Sequence, residues 1–493
     1  MTTVLAADKS PLADAPSAFV RAQATSAVHW QPWTNAVLTQ AKQQAKPVYV
    51  FIGTPLSELT RATINQTFTS EKTVAWVNES FFCIFVDGDA RPEVAAYAQH
   101  FITSVKQLKG SPVHLWLTPD TLQPYDGANY LPPSEEWGKA GFLKAARSAL
   151  DTWKLEPARA HAQAEEALSM MKLPPLDPKA KIDFAAKLEA ATKAWLATID
   201  AKNGGFGTAP KLPEPELIRF LLKRDPAAQA AALNAARALV AGALRDPVDG
   251  GFYRRCIDDE WKEPYFQKTL IDQARIALAL FEAADAAKDE KLRAAGIGAL
   301  DFVLKELKNP DGTFAAALDG TLEENLPAGQ RPQFVTVGRA SMGAQGLLLA
   351  ALVRSGDRKF NQPTDTIANV LRLLLQHQVA AKPTSVTSGD LLREAVAFRA
   401  LQDETTAGHL LKLVNRYYFD AATGIYQATD EELPLGIALR VPASGDTPSA
   451  EVLALLAGVD QKTADLIRRN LYTAIEYDDL PPGDVLLGLG TNR

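Results

Sequence analysis

The stretch Val48-Tyr49-Val50-Phe51-Ile52 is an unbroken apolar, β-prone run, led in by Lys46-Pro47 and stopped by Gly53. A strand with one wet face alternates polar and apolar residues, so a continuous run predicts a strand covered on both faces of a sheet. Two further runs follow: Phe81 to Val86, ending at Asp87-Gly88, and Val113 to Leu117, apolar but for His114, ending at Thr118-Pro119-Asp120. Helical periodicity fills the intervals at Ser70 to Asn78 and Glu93 to Ile102. Strands alternating with helices predict an α/β domain for the first part of the chain. The loop after the first of these strands lies at the carboxyl end of such a sheet, where α/β folds place their chemistry, and it enters a helix near Ser57.

With 493 residues, 47% of them hydrophobic and 22% charged, the chain has material for two substantial cores. Its 52 basic and 58 acidic residues give a net charge of −6, without a long block of either sign. Neither nucleic acid nor a membrane surface is expected as a partner. Met1 to Ser10 lacks a basic start followed by an apolar run, and no later stretch is long and apolar enough for a membrane span, so a cytoplasmic protein is expected. The alternative is export, with Val4-Leu5-Ala6-Ala7 as the end of a signal that begins upstream. Cys83, inside an apolar run, reads as a buried small hydrophobe, and Cys256 shows no metal spacing.

Trp137 to Trp153 predicts a closing amphipathic helix, Glu156 to Met171 a further helical stretch, and Lys172-Leu173-Pro174-Pro175-Leu176-Asp177-Pro178 a break. The expected division is a first domain over 1–155, a connection over 156–180 and a second domain over 181–493. The second is dominated by Ala- and Leu-rich helical patterns, among them Pro226 to Arg245, Lys268 to Lys288, Lys291 to Leu307, Ala340 to Arg354, Asp365 to Gln378, Leu391 to Gln402, Ala407 to Tyr418 and Ser449 to Leu456. A turn motif recurs between them: Asn203-Gly204-Gly205-Phe206, Asp249-Gly250-Gly251-Phe252-Tyr253, Asp311-Gly312-Thr313-Phe314 and Thr423-Gly424-Ile425-Tyr426. Glycine ends each helix in a left-handed turn and the aromatic or aliphatic residue folds the chain back, which suits helical hairpins set around a ring; a plain stack of helical repeats is the alternative.

These segments resemble the spermatogenesis-associated protein family, in which a thioredoxin-like domain is fused to a six-hairpin, glycosidase-like α/α toroid. The resemblance is carried by His29-Trp30-Gln31-Pro32-Trp33, Ile52-Gly53, Phe68, Arg91-Pro92 and Tyr130-Leu131-Pro132-Pro133 in the first domain. In the second it is carried by Gly204-Gly205-Phe206-Gly207, Ala209-Pro210-Lys211 and the stretch from Gly250 to Ala274. By this register the family's Cys-His-Trp-Cys becomes Ser57-Glu58-Leu59-Thr60, and Pro112 matches the proline held in cis against the active loop. Hydroxyls form no disulfide and supply no thiolate at neutral pH, so dithiol chemistry is excluded there and a redox-inactive domain is expected. Ser57 as a nucleophile would need a base within reach; the alternative is a helix N-cap.

The toroid resembles those of sugar-binding glycosidases and epimerases, which implies a carbohydrate-like small molecule as partner. Its pattern Pro-His-Phe-Glu-Lys-Met-Leu-Tyr-Asp reads Pro264-Tyr265-Phe266-Gln267-Lys268-Thr269-Leu270-Ile271-Asp272 here, and the stretch from Asp319 to Gln333 reads as a shortened loop. Pro442 to Glu451 is similar to the family's late Pro-Ser-Gly segment. Glycoside hydrolysis needs two carboxyl groups, one of them kept protonated, and the candidates are Asp258, Asp272 and Asp319. An ion pair with Lys268 one helical turn earlier would account for Asp272 without catalysis, and turns would account for Asp258 and Asp319. Phe206, Phe252, Trp261 and Tyr265 could stack on a sugar or fill the core, and Lys211 and Arg254 could orient a ligand or form structural ion pairs. No zinc spacing, phosphate loop or Ser-His-Asp arrangement stands out, so no cofactor and no metal site are expected. The expected function is ligand binding or regulation by a non-catalytic family member; the alternative is a carbohydrate-active enzyme, a glycosidase or sugar epimerase, using the toroid acids.

Overall fold

The computed structural model describes residues 10–171 except 45 and 137, then 181–321, 330–379, 387–420, 425–426, 483–490 and isolated positions between 465 and 480. The break at Lys172 to Pro178, the segments Pro442 to Glu451 and Ser449 to Leu456, and the turn at Thr423-Gly424 lie outside the described residues. Two compact units separate within the chain, the first reaching Pro174 and the second starting at Pro175.

The first unit is built on the predicted strands. β1 (Gln31–Pro32), β2 (Val48–Gly53), β3 (Phe82–Asp87), β4 (Val113–Leu117) and β5 (Pro124–Ala128) form one sheet in the order β1-β3-β2-β4-β5. β1 and β2 run parallel to β3, while β4 is antiparallel to β2 and β5 to β4. Every residue of β2, β3 and β4 is buried, His114 included, whose Nδ1 lies 2.7 Å from the Tyr49 hydroxyl. Alternate residues feed two layers. Val48, Val50, Ile52, Ile84 and Leu115 pack on one face with α2 (Asn35–Lys42) and α5 (Pro92–Lys106); Tyr49, Phe51, Cys83, Phe85 and Trp116 pack on the other with α4 (Glu71–Ser80) and α6 (Phe142–Leu155). The short helices α1 (Ala18–Arg21) and α3 (Glu58–Ala62) complete this unit with α7 (Pro157–Met171).

The helix assigned from sequence to the connection, α7, is part of this unit. It packs against β5, α5 and α6, with Ala160 and Ala164 in one layer and Ala167 and Met171 in the other. Its small residues let it lie close along the edge of the sheet, where unpaired strand groups need cover.

The second unit is a helical toroid. Its helices are α8 (Phe184–Leu196), α9 (Pro215–Leu221), α10 (Pro226–Ala241), α11 (Leu270–Ala287), α12 (Glu290–Phe302), α13 (Met342–Ser355), α14 (Asn361–Val379), α15 (Ser388–Ala400), α16 (Glu404–Tyr417) and α17 (Gly483–Gly490). Contacts run α17 to α9 to α11 to α13 to α15, while α10, α12, α14 and α16 pack from outside against α11, α11, α13 and α15. Sequence explains the sorting. α13 is mostly apolar and is buried from Gly343 to Leu352, whereas α16 buries one stripe, Ala407, Leu410, Leu411 and Val414, and keeps its charges exposed. A small sheet, β6 (Gln267–Thr269), β7 (Ala317–Asp319) and β8 (Val335–Val337), lies where the chain leads into α11 and α13. The sequence pattern starts a helix at Lys268; instead Thr269 is the N-cap of α11, its side chain accepting from Asp272 N.

At the carboxyl end of β2, Gly53 meets α3 so closely that a Cβ there would lie 2.5 Å from Thr60 Cγ2. Gly53→Ala is therefore expected to cost about 1–3 kcal/mol in denaturant unfolding. Thr60→Ser, which removes Cγ2, should recover most of that loss in the double variant; strictly additive costs would show that the clash is relieved some other way.

Candidate functional site

The sheet edge of the first unit holds the loop singled out from sequence. Ser57 is the N-cap of α3: its Oγ accepts from Thr60 N at 3.2 Å and donates to the Ser111 carbonyl at 3.4 Å. That carbonyl belongs to the cis Ser111–Pro112 peptide bond, so Ser57, Thr60 and Pro112 do come together. Thr60 is fully buried, and its Oγ1 accepts from Thr54 N at 3.5 Å. Among the described residues no histidine or carboxylate bonds to Ser57 Oγ, so nothing there would activate it as a nucleophile. The capping geometry accounts for the hydroxyl by itself. Both cysteines are buried free thiols. Burial pushes the Cys83 thiol well up, and its Sγ contacts the Phe81 carbonyl at 3.8 Å. Burial, reinforced by Asp258, pushes Cys256 up to about 12.

In the second unit the recurring turn is larger than the motif read from sequence. Asp200-Ala-Lys-Asn203-Gly204-Gly205-Phe206 and Asp246-Pro-Val-Asp249-Gly250-Gly251-Phe252 are the same device. In each, the leading aspartate carbonyl accepts from the first glycine N–H at 2.9 Å, and its own N–H donates to the second glycine carbonyl. Gly204, Gly205 and Gly250 hold φ of 76°, 79° and 79°, a region open chiefly to glycine. Each turn also takes a buried lysine. Lys211 Nζ donates to Asp200 Oδ2 at 2.5 Å and the Gly204 carbonyl at 2.8 Å, 5.4 Å from the Trp261 ring centre. Lys268 Nζ donates to Asp246 Oδ2 at 2.6 Å and Asp249 Oδ2 at 2.7 Å, under the rings of Tyr253, Phe302 and Phe334.

Tyr253 O–H donates to Asp246 Oδ2 at 2.7 Å, and Arg331 bonds both Asp246 and Asp249 from the rim. Burial pushes the Asp246 carboxyl up, but Lys268, the Val248 N–H and Tyr253 outweigh it and bring it down to about 2. The Lys211 bond holds Asp200 below the usual carboxylate range. The expected ion pair between Lys268 and Asp272 is replaced: Lys268 sits on β6 and turns to Asp246 and Asp249, while Asp272 Oδ2 accepts from Thr269 Oγ1 at 2.6 Å.

Several proposed ligand-binding side chains are committed elsewhere. Phe206, Lys211, Phe252 and Trp261 are buried in the hairpin core and present no face to a ligand, in line with the packing alternative. Tyr265 is half-buried under the Arg255 guanidinium, 4.3 Å from its ring centre. Arg254 is exposed and donates to Gln267 Oε1 at 3.0 Å; Gln267 Nε2 in turn donates to Asp319 Oδ2 at 3.1 Å. Arg254 and Asp319 thus meet through an amide that sequence reasoning passed over. Asp319 is fully buried and its Oδ1 accepts from Thr321 N and Oγ1. Asp258 closes a surface turn, accepting from the N–H groups of Glu260, Lys262 and Glu263. Its slight burial opposes these bonds, which still hold its carboxyl below the usual range. Among the described residues no cluster of three metal-ligating side chains occurs, and no helix is long and apolar enough to cross a membrane.

Fold and local geometry define the class: a thioredoxin-like α/β domain joined to a helical toroid. The chain resembles the spermatogenesis-associated protein family, and residues 9–172 match a DsbH-type thioredoxin family described as a protein of unknown function, DUF255. It is 28% identical over 335 residues to Spermatogenesis-associated protein 20 of Mus musculus, covering 64% of this chain and 41% of that protein. With the Homo sapiens protein it shares 28% over 337 residues, 64% of this chain and 42% of the other. The chain therefore spans about two fifths of the length of the curated relatives it matches. Among solved structures it is similar to a sugar epimerase from a ruminal bacterium, with a TM-score of 0.44 and 14% identity, covering 60% of this chain and 87% of that one. It is also similar to a GH76 α-mannanase of Bacteroides thetaiotaomicron, with a TM-score of 0.36 and 11% identity, covering 62% and 82%.

Lys268→Met should leave two buried carboxylates with only the rim cation Arg331 and cost about 3–5 kcal/mol at neutral pH, read by denaturant unfolding. The wild-type Asp246 carboxyl has a depressed folded pKa, so its stabilisation is full above the ordinary aspartate value and is lost as pH falls through about 2. The deficit of the variant should accordingly shrink on acidification from pH 7 toward pH 3; a constant deficit would mean that packing, and not charge, is what Lys268 supplies.

Proposed function

We propose that this chain is a redox-inactive thioredoxin-like protein whose toroid binds a carbohydrate-like small molecule without turning it over, as a regulatory or binding member of its family. The observation that carries the reading is the state of the carboxyl groups singled out in the toroid. Asp258 is held by backbone donors, Asp272 by its helix cap and Asp319 by Gln267 and Thr321. Each is engaged within the fold, and backbone donors hold the Asp258 carboxyl below the usual range, whereas a glycosidase acid must stay protonated. Of the singled-out ligand-binding residues, the exposed Arg254, its guanidinium tied to Gln267, and the half-buried Tyr265 remain at the surface. A guanidinium suits sugar hydroxyls and an aromatic the apolar face of a sugar ring.

The redox half of the reading rests on Ser57 and Thr60 at the loop and on two thiols that burial keeps protonated. Thiol labelling of the native chain should modify neither Cys83 nor Cys256 and should modify both after denaturation; rapid labelling of either in the native state would reopen thiol exchange. A thermal-shift screen against mono- and oligosaccharides should give a selective rise that Arg254→Ala weakens. A flat response across the panel would sink the sugar reading, and conversion of a bound sugar would establish the carbohydrate-active enzyme instead.

A further inference from the structure

α15 is buried on nearly every side, and one of its buried side chains is ionisable and alone. Glu394 has no solvent exposure, and neither Oε1 nor Oε2 has a hydrogen-bond partner among the described residues. Asp390, one turn earlier, is fully engaged: Oδ1 accepts from Gly343 N at 2.9 Å, and Oδ2 accepts from Thr387 N at 3.3 Å and Thr387 Oγ1 at 2.9 Å. It closes the N-terminus of its own helix and ties it to α13, leaving nothing to share with Glu394.

The seam between the two helices has no slack at this point. A Cβ on Gly343 would fall 2.5 Å from Asp390 Oδ1, and one on Gly346 would fall 3.0 Å from Glu394 N. The backbone of Glu394 is thus pressed directly against α13 at Gly346.

Among the described residues, no cation is hydrogen-bonded to this carboxyl. On α15 itself the charged neighbours are Asp390 and Arg393, and Arg393 makes no hydrogen bond to Glu394. The only charge on α13 is Arg354, which is exposed and bonds Asp285. On α16, Glu404, His409, Lys412 and Arg416 all lie on the exposed side. From α14, Arg372 reaches the Phe398 ring, one turn beyond Glu394, and is committed to Asp403.

We propose that the α13–α15 seam is a proton-operated latch, closed around the neutral acid of Glu394 and loosened when that acid gives up its proton. An ionised carboxylate without partners is far costlier to bury than the neutral acid, which loses only hydrogen bonds to water. Burial, reinforced by the negative charge of Asp390, accordingly pushes the Glu394 carboxyl well above the usual range. A raised folded pKa means that the folded toroid holds a proton the unfolded chain releases. Stability tied to that proton is full below the ordinary glutamate value of about 4.3 and falls by up to tenfold in equilibrium constant per pH unit above it, until the folded pKa is passed.

Hydrogen exchange of the full chain between pH 5 and 9, corrected for intrinsic exchange, tests this. Protection of α13 and α15 should fall with rising pH, by up to tenfold per unit, while Glu394→Gln, which cannot ionise, should remove that slope and exceed wild type at pH 8. Should the variant fail to fold, the wild type still decides, because only the seam and not α9 or α10 should show the slope. A pH-independent seam in the wild type, or an equal slope in Glu394→Gln, would overturn the latch.

Discussion

The second unit depends on placing a positive charge in its interior. Lys268 has no exposed surface, yet its ammonium is met by two carboxylates and by aromatic faces on three sides. An isolated ammonium there would cost several kcal/mol, so the turn that supplies Asp246 and Asp249 and the strand that supplies Lys268 stabilise each other or neither forms. The same logic recurs with Lys211 and Asp200 one hairpin earlier. Because the lysine lies outside the turn it neutralises, each pair fixes the spacing between a turn and the segment leading to the next inner helix. Hydrophobic burial drives the helices together, but it is not directional; the charge pairs set the register in which they meet.

The first unit solves the opposite problem at its sheet edge. A thiolate at a helix N-terminus would be stabilised by the N–H groups there, and the same geometry accepts a neutral hydroxyl as a cap. Ser57 uses that geometry in full: it takes one orphan N–H of α3 and returns its own proton to the Ser111 carbonyl. Thr60 fills the space over Gly53 with its methyl group. The loop is thus a satisfied, packed element.

Much of this was legible in the residues. The apolar-rich runs at Val48, Phe81 and Val113 announced buried strands, and the position of Ser57 after a central strand placed it at the carboxyl edge. The short strands β1 and β5 were not legible, because Gln31–Pro32 is only two residues and Pro124 to Ala128 carries Pro, Asp and Gly, residues that argue against strand. The helix α7 was visible as a helix, but its alanines gave no sign of which layer they would enter. The turn motif was recognised from its glycines and aromatic, which act locally, and missed its leading aspartates Asp200 and Asp246, whose purpose appears only when a lysine 11 or 22 residues later folds back on them. Lys268 itself was misassigned to a helix because Thr269, a strong N-cap, stands inside an otherwise helical pattern.

Two interior charges of the toroid then sit in opposite regimes, and together they bound the conditions under which it is stable. Asp246 is buried with its cation, so acid removes a favourable interaction; Glu394 is buried without one, so base creates an unfavourable one. Both follow from the same fact, that an interior of low polarity amplifies whatever charge balance the chain leaves in it. A lysine can be matched because the turn offers carboxylates at two adjacent points. Glu394 lies on a helix pressed against one notched by Gly343 and Gly346, and the amide buried on that helix, Gln345, donates to the Ala340 carbonyl. The glycines let the backbone of Glu394 press against α13, so a charge that appears on its buried carboxyl appears beside that close contact.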